Sequence, residues 1–111
     1  MKYIKLFENN SEISCFIKDY SSNQYSTLLS DIKVLDDNLI PYEIFTYKFR
    51  DKIFFKVFIN KKFIPNESQL DTILKLKIMV LDFEYEFTWE WKKISYDDLL
   101  RLTKKLKYNL L

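Results

Sequence analysis

The sequence predicts one α+β domain over residues 1–111, in which helices cover one face of an antiparallel or mixed β-sheet. About five strands and two to three helices are expected, in the order β-β-α-β-β-α-β-α. Two features of the chain predict this class. Several runs alternate apolar and polar residues at the period of a strand, and other runs have apolar residues at helical spacing. Asparagine and aspartate separate these runs at short intervals.

A β-hairpin is predicted first, with Lys2 to Glu8 and Glu12 to Asp19 as its strands. Asn9-Asn10 separates the two runs. The chain has no glycine, so its tight turns are expected to use Asn or Asp, which tolerate left-handed backbone best after glycine.

A helix is predicted after this hairpin, because apolar residues recur at i, i+3, i+4 and i+7. Ser22 or Asn23 is the expected N-cap, and Asp36-Asp37-Asn38 is the expected end of the helix. The apolar stripe of this helix consists of Tyr25, Leu28, Leu29 and Ile32.

A second hairpin is predicted from two aromatic and β-branched runs, Tyr42 to Phe49 and Ile53 to Ile59, joined by Arg50-Asp51-Lys52. Phe54 and Phe58 are apolar residues on the reverse face of the second run. They indicate a strand that is central or covered on both faces.

A second helix is predicted from Glu67 to about Lys77, with Asn66 as its N-cap. Period-two alternation begins within this segment at Leu74, so the sequence is compatible with either helix or strand from there to the end of the segment. From Met79 to Trp91 the odd positions are apolar, and from Asp82 to Glu90 every even position is polar, which predicts an amphipathic strand over residues 82–91.

A C-terminal helix is predicted from the capping box Ser95-Tyr96-Asp97-Asp98 and the leucines that follow at helical intervals. Basic residues lie between these leucines and form a candidate RNA-binding stripe. The macrodipole also favours lysines near a helix C-terminus, so a purely structural interpretation is open. The stripe consists of Arg101, Lys104, Lys105 and Lys107.

Several kinds of catalysis lack the residues they need. Histidine and glycine are absent, which excludes a Ser-His-Asp triad, a His-containing zinc site and a phosphate-binding P-loop. Cys15 is the only cysteine, so it forms no disulfide within the chain, and its apolar neighbours predict a small core residue. We expect a protein that is not an enzyme and has no cofactor or metal ion.

Charge and hydropathy indicate where the protein acts. The net charge of +2, from 18 basic and 16 acidic residues, gives no field that favours nucleic acid or an anionic membrane. No apolar run approaches the roughly 18 residues of a membrane span. Glu8 to Ser11 interrupt the N-terminal run, so no signal peptide is predicted. We expect a cytoplasmic protein, in its producer or in an infected host cell.

The predicted strand at 82–91 carries a candidate binding site on its polar face, which consists of Asp82, Glu84, Glu86 and Glu90. Acidic residues two apart on a strand lie about 6.8 Å from each other, close to the spacing of successive phosphates. This acidic row is therefore predicted either to imitate a nucleic-acid backbone or to be an ordinary solvated sheet face.

Glu90-Trp91-Lys92, with Asp82 upstream, also resembles the metal-binding pattern of nucleases related to restriction endonucleases. On one extended strand, Asp82 and Glu90 would be about 27 Å apart, too far to share an ion.

The first nine residues, Met1 to Asn9, resemble the start of many small proteins of phages with AT-rich genomes and of their hosts, and the high content of Lys, Asn, Ile, Phe and Tyr fits such a genome. In size and character the chain is similar to anti-CRISPR and other phage anti-defence proteins. That resemblance implies a protein that binds and blocks a nuclease or a nucleic-acid-handling defence complex. An immunity protein that neutralises a toxin is the alternative, followed by a virion accessory protein and a small RNA-binding module.

Overall fold

The computed structural model of the chain describes residues 15–81 and 87–109. These residues form an α+β fold, as predicted, in the order β-α-β-β-α-β-β-α. This order differs from the predicted one in that two short strands, rather than one, precede the last helix. A short 3-10 turn at Ser22–Gln24 precedes the first α-helix. The strands are β1 (Cys15–Ser21), β2 (Glu43–Phe49), β3 (Lys52–Ile59), β4 (Met79–Leu81) and β5 (Lys92–Ile94), and the helices are α1 (Tyr25–Asp37), α2 (Glu67–Lys75) and α3 (Tyr96–Asn109).

The five strands form one sheet in the order β4-β1-β3-β2-β5, and every neighbouring pair is antiparallel. This resolves the choice between an antiparallel and a mixed sheet. β3 is the central strand, which explains its apolar residues on both faces. In the β2–β3 hairpin, Tyr47 lies opposite Phe54, and Arg50 and Asp51 turn the chain with φ angles of 49° and 63°. Two positive φ values match the right-handed twist of a hairpin.

The three helices pack on one face of the sheet, as predicted. Their buried leucines and isoleucines join alternate residues of the inner strands in a single cluster. Phe55, Val57 and Ile59 of β3 are fully buried at its centre. Burial of such side chains contributes about 1.5–3 kcal/mol each. The helices contribute Leu28, Ile32, Leu35, Leu70, Ile73 and Leu99.

Two helices end in the same hydrogen-bonded motif. After α1, Leu39 N–H donates to Asp36 O and Ile40 N–H donates to Leu35 O. The corresponding bonds after α2 run from Lys77 to Leu74 and from Ile78 to Ile73. This is the Schellman arrangement, which requires a left-handed residue just beyond the cap.

The expectation that Asn or Asp would occupy left-handed positions is wrong at Leu39, Arg50 and Lys77, whose φ angles are 58°, 49° and 62°. Only Asp51, at 63°, follows it among the described residues. At the two helix ends the buried residues that follow, Ile40 and Ile78, anchor the turn in the core. Their burial holds a strained backbone that local preference disfavours.

The predicted caps are partly correct. Asn66 accepts a hydrogen bond from Gln69 N–H at 2.8 Å, and Ser95 accepts one from Asp98 N–H at 3.1 Å. For α1 the prediction of Ser22 or Asn23 is wrong, because these residues form the 3-10 turn and Gln24 precedes the helix without a side-chain cap bond. The predicted strand Lys2 to Glu8 lies outside the described residues.

The continuous strand predicted at 82–91 is not found in its described part. Residues 82–86 lie outside the description; Phe87 and Thr88 have no regular structure, and Trp91 N–H donates to Thr88 O to close a turn. The physical reason is topological: β4 and β5 are opposite edges of the sheet, so the connection between them leads from one edge to the other. Within the described ranges, no helix is long and apolar enough to cross a membrane.

Candidate binding surface on the open face of the sheet

The sheet face opposite the helices, here called the open face because none of the described helices covers it, is rich in aromatic side chains. Because Ile44 and Val57 point into the helix-covered core, the alternate residues of β2 and β3 point to the open face. The hairpin register places β2 and β3 rings side by side, so these residues form one continuous surface. The rings belong to Phe45, Tyr47, Phe49, Phe54 and Phe58.

Phe87 covers one part of the open face. Its ring stacks on Phe45 with 3.7 Å between centroids and meets Phe58 edge-on at 5.1 Å. These contacts show that the described part of the connection between β4 and β5 lies over the open face. Ring packing of this kind depends on aromatic contacts, which a residue outside regular structure can also make.

Beside Phe87, the rest of the face forms a groove of about 500 Å³, here called the aromatic groove. Its aromatic lining includes Tyr47, Phe49, Phe54 and Trp91, and its polar lining includes Asp19 and Gln24. The Tyr47 centroid lies 6.2 Å from those of Phe49 and Phe54, with interplanar angles of 18° and 28°. The planes of the three rings are therefore nearly parallel, and these rings are here called the aromatic platform.

Two cations of the chain already lie on rings of this face. Lys56, which is only 5% exposed, has its Nζ 4.3 Å from the Trp91 centroid and 3.5 Å from Asp19 Oδ1. Arg50 Cζ lies 5.1 Å from the Phe49 centroid at the hairpin end. Both distances are within the roughly 6 Å range of cation–π attraction. Lys56 thus connects Trp91 to the strands below it.

Behind the groove, the buried residue Tyr20 links the sheet to α1. Its hydroxyl donates to Asp31 Oδ2 at 2.6 Å, and Lys18 Nζ donates to the same oxygen at 2.7 Å. Burial, followed by the hydrogen bond and charge of Asp31, raises the pKa of the Tyr20 hydroxyl far above its usual range. A neutral tyrosine and an ion pair therefore join β1, which carries the groove residue Asp19, to α1.

A second groove of about 440 Å³, here called the edge groove, lies between α3 and the edge of β2. Trp89 and Glu90 form part of its lining together with Lys48, Lys92 and Leu102. The Trp89 side chain is 87% exposed, although the next aromatic residues on both sides are packed against the sheet. Tryptophan is enriched at protein interfaces, so an exposed Trp that lines a groove is a candidate contact residue.

The predicted site residues have different locations. Glu90 is exposed in the turn before β5 and lines the edge groove, whereas Asp82, Glu84 and Glu86 lie outside the described residues. Cys15 is buried in β1, in agreement with its prediction as a core residue.

The four residues of the basic stripe are exposed on α3, and Arg101 contacts Asp98 at 3.4 Å. In the described ranges no three Asp, Glu, His or Cys residues are grouped to hold a metal ion.

The sequence-based prediction did not single out the aromatic groove. The sequence indicated it only through the aromatic residues on one face of β2. The groove also depends on the register of β2 with β3 and on the position of Trp91 over Tyr47, with 5.3 Å between ring centroids. Comparisons of the chain with protein-family models, curated proteins and solved structures found no match. The chemistry of the two grooves is therefore the basis for a function.

Proposed function

We propose that this protein is a non-enzymatic binding protein that attaches to a partner protein through Trp89 and the two adjacent grooves. The observation that carries the proposal is the presentation of Trp89, which is 87% exposed between two anchored aromatic neighbours. A few residues supply most of the binding energy at a protein interface, and Trp, Tyr and Arg are enriched among them. Exposed Trp89 and half-exposed Phe49, at 48%, provide such anchors close to the grooves.

The turn that carries Trp89 is held on both sides. Phe87 stacks on Phe45, and Trp91 packs against Tyr47 and the Lys56 ammonium. The Trp91 N–H bond to Thr88 O closes the turn between them. A ring presented on a fixed turn loses little conformational entropy when it binds, which raises affinity for a matching pocket.

The charges around Trp89 favour a protein partner over nucleic acid. Lys48 and Lys92 line the edge groove together with Glu90, and Asp19 lines the aromatic groove. Affinity for nucleic acid depends on a surplus of cations along the surface. A surface with both signs matches the polar rim of a protein interface better.

We further propose that the partner is a nuclease or a nucleic-acid-handling defence complex, which the protein inhibits. This proposal is supported by the small size and phage-like character of the sequence. The alternative, an immunity protein bound to a toxin, would use the same surface. Neighbouring genes distinguish the two, because a toxin gene would adjoin the gene of an immunity protein.

The test is affinity capture from the native host with three forms of the protein. Wild-type protein and Ile64→Ala should capture the same partner, since Ile64 is 76% exposed but lines neither groove. Trp89→Ala should capture at least about tenfold less of this partner. Purified wild-type protein should then inhibit the partner's activity. Equal capture by Trp89→Ala and wild type would contradict the proposed surface.

The acidic row and the basic stripe have tests of their own. Reversal of Glu84, Glu86 and Glu90 to Lys should abolish partner binding if the row imitates phosphates. Reversal of Lys104, Lys105 and Lys107 to Glu should eliminate any salt-dependent RNA binding of the wild type. If a folded variant binds with unchanged affinity, the surface altered in that variant is not the binding site.

Metal-dependent cleavage of nucleic acid by the wild type, lost in Glu90→Gln, would contradict the prediction that the protein is not an enzyme.

A further inference from the structure

We propose that the aromatic groove binds the guanidinium group of an arginine side chain supplied by the partner protein. This inference rests on the proposed function and specifies the chemistry of the partner. A protein that handles nucleic acid carries arginines to contact phosphates. An arginine held in the groove would be withdrawn from that task.

The shape of the groove selects a planar group. The rings of Tyr47, Phe49 and Phe54 lie within 28° of parallel in the two adjacent pairs, so their flat faces point in nearly the same direction. A guanidinium is flat and weakly hydrated, and it stacks on aromatic faces. A lysine ammonium is compact and strongly hydrated, so it gains less from a flat platform.

The exposed carboxylate in the groove lining favours a cation, although Lys56 already contacts one of its oxygens. Among the described lining residues, Asp19 alone carries a charge, and its side chain is 72% exposed. The Lys56 side chain that contacts its Oδ1 is 7% exposed, so solvent reaches the carboxylate and hardly reaches the ammonium. A carboxylate has about four acceptor positions, enough for Lys56 and a partner N–H group together.

The hairpin end provides an internal precedent for this contact. The Arg50 guanidinium lies over Phe49, at the far end of the same platform. A planar nucleobase would fit the rings equally well, but the carboxylate of Asp19 would oppose the phosphates attached to it. Shape and charge together therefore favour arginine.

The test uses three blocked tripeptides that are identical except for a central arginine, citrulline or lysine. Citrulline keeps the planar shape and removes the charge, whereas lysine keeps the charge and removes the plane. Binding is followed by the NMR shift of the Trp91 indole N–H, assigned with Trp89→Phe. The arginine peptide should bind about tenfold more tightly than the citrulline peptide. Its advantage over lysine should be about threefold.

Two variants assign the effect to the groove. Asp19→Asn should abolish the preference for arginine over citrulline, while Asp71→Asn, an exposed carboxylate on α2, should preserve it. If loss of the Asp19 carboxylate beside Lys56 prevents folding, Asp19→Asn is combined with Lys56→Met, and the same result is expected. Tyr47→Leu should weaken the arginine and citrulline peptides alike, because it interrupts the platform.

Equal binding of the arginine and citrulline peptides to the wild type would overturn the inference. So would a Tyr47-dependent preference for a single-stranded oligonucleotide over all three peptides, which would assign the platform to bases. Failure of this inference leaves Trp89-dependent capture of a partner intact. Failure of the proposed function would appear as arginine-selective binding without any Trp89-dependent partner.

Discussion

Lys18 Nζ lies 2.7 Å from Asp31 Oδ2, and this contact joins β1 to α1 on the helix-covered side of the sheet. Lys18 also donates to the carbonyl of Leu76 at the end of α2. One side chain therefore connects a strand to two helices. Both members of the pair are largely buried, with side chains 20% and 10% exposed. The attraction between the two charges therefore offsets the hydration that each loses on burial.

Loss of the Asp31 carboxylate is expected to be strongly destabilising. Asp31→Ala leaves the Lys18 ammonium and the Tyr20 hydroxyl without their shared acceptor, which should lower the free energy of unfolding by about 3 kcal/mol. Urea denaturation measures this change. Asp71→Ala is the matched control: it breaks the exposed Asp71–Lys75 pair and should cost about 0.5 kcal/mol or less. Similar losses in the two variants would contradict the structural role of the Lys18–Asp31 pair.

Stability is expected to fall at alkaline pH because of Tyr20. Its hydroxyl has a raised pKa in the folded protein, while in the unfolded chain it ionises near the ordinary value of 10.0. The unfolded chain then binds fewer protons, so the tyrosine's contribution is complete below about pH 10 and is lost above it. The expected loss from this residue is about 1.4 kcal/mol per pH unit.

Tyr20→Phe tests this pH dependence. The variant should be about 1 kcal/mol less stable at pH 7, because the hydrogen bond to Asp31 is lost. Above pH 10 its stability should decline less steeply than that of the wild type. Denaturant titrations at pH 7, 9, 10 and 11 give both values, and parallel alkaline slopes would show that Tyr20 ionises equally in the folded and unfolded states.

Leu39 is expected to be a site where glycine stabilises the protein. Its φ of 58° disfavours any residue with a Cβ, and its side chain is 82% exposed, so little packing is lost on removal. Leu39→Gly should raise the free energy of unfolding by about 0.5–1 kcal/mol. Leu39→Ala is the control, because alanine keeps the Cβ and should produce no such gain. Thermal and urea denaturation compare the three proteins.

Phe87 is expected to hold the described part of the connection onto the open face. Phe87→Ala removes the stacking on Phe45 and the edge contact with Phe58, and should lower the free energy of unfolding by about 2 kcal/mol. Trp89→Ala, two residues along and 87% exposed, should change it by no more than about 0.5 kcal/mol. If the two variants lose equal stability, the assignment of Phe87 as anchor and Trp89 as presented ring is incorrect.

Local chemistry made the helices and the central hairpin predictable. Asn66 caps α2, Ser95 caps α3, and the periodic leucines and isoleucines of all three helices enter the core. Each of these signals acts over a few residues, because a cap hydrogen bond and a helical stripe are formed within one or two turns. The hairpin likewise depends on adjacent runs and the turn at Arg50 and Asp51.

The candidate site was less predictable, since it is assembled from distant parts of the chain. Glu90 was expected on a strand, but the return of the chain to β5 places it in a turn with Trp89. The aromatic groove brings together Asp19 of β1, Tyr47 of β2 and Trp91 from the segment before β5. Contacts of this kind leave no periodic trace in the sequence.

The amino-acid sequence by itself determined the class of this protein: an α+β sheet with helices on one face, whose hairpin and helices follow from apolar periodicity and capping. Only the tertiary structure decided the strand order, which separates β4 and β5 onto opposite edges of the sheet. That order places Phe87 on Phe45, Trp91 on Tyr47, and Trp89 in solvent between them. The physical reason is that alternation specifies which side chains need burial, whereas strand order specifies what they are buried against.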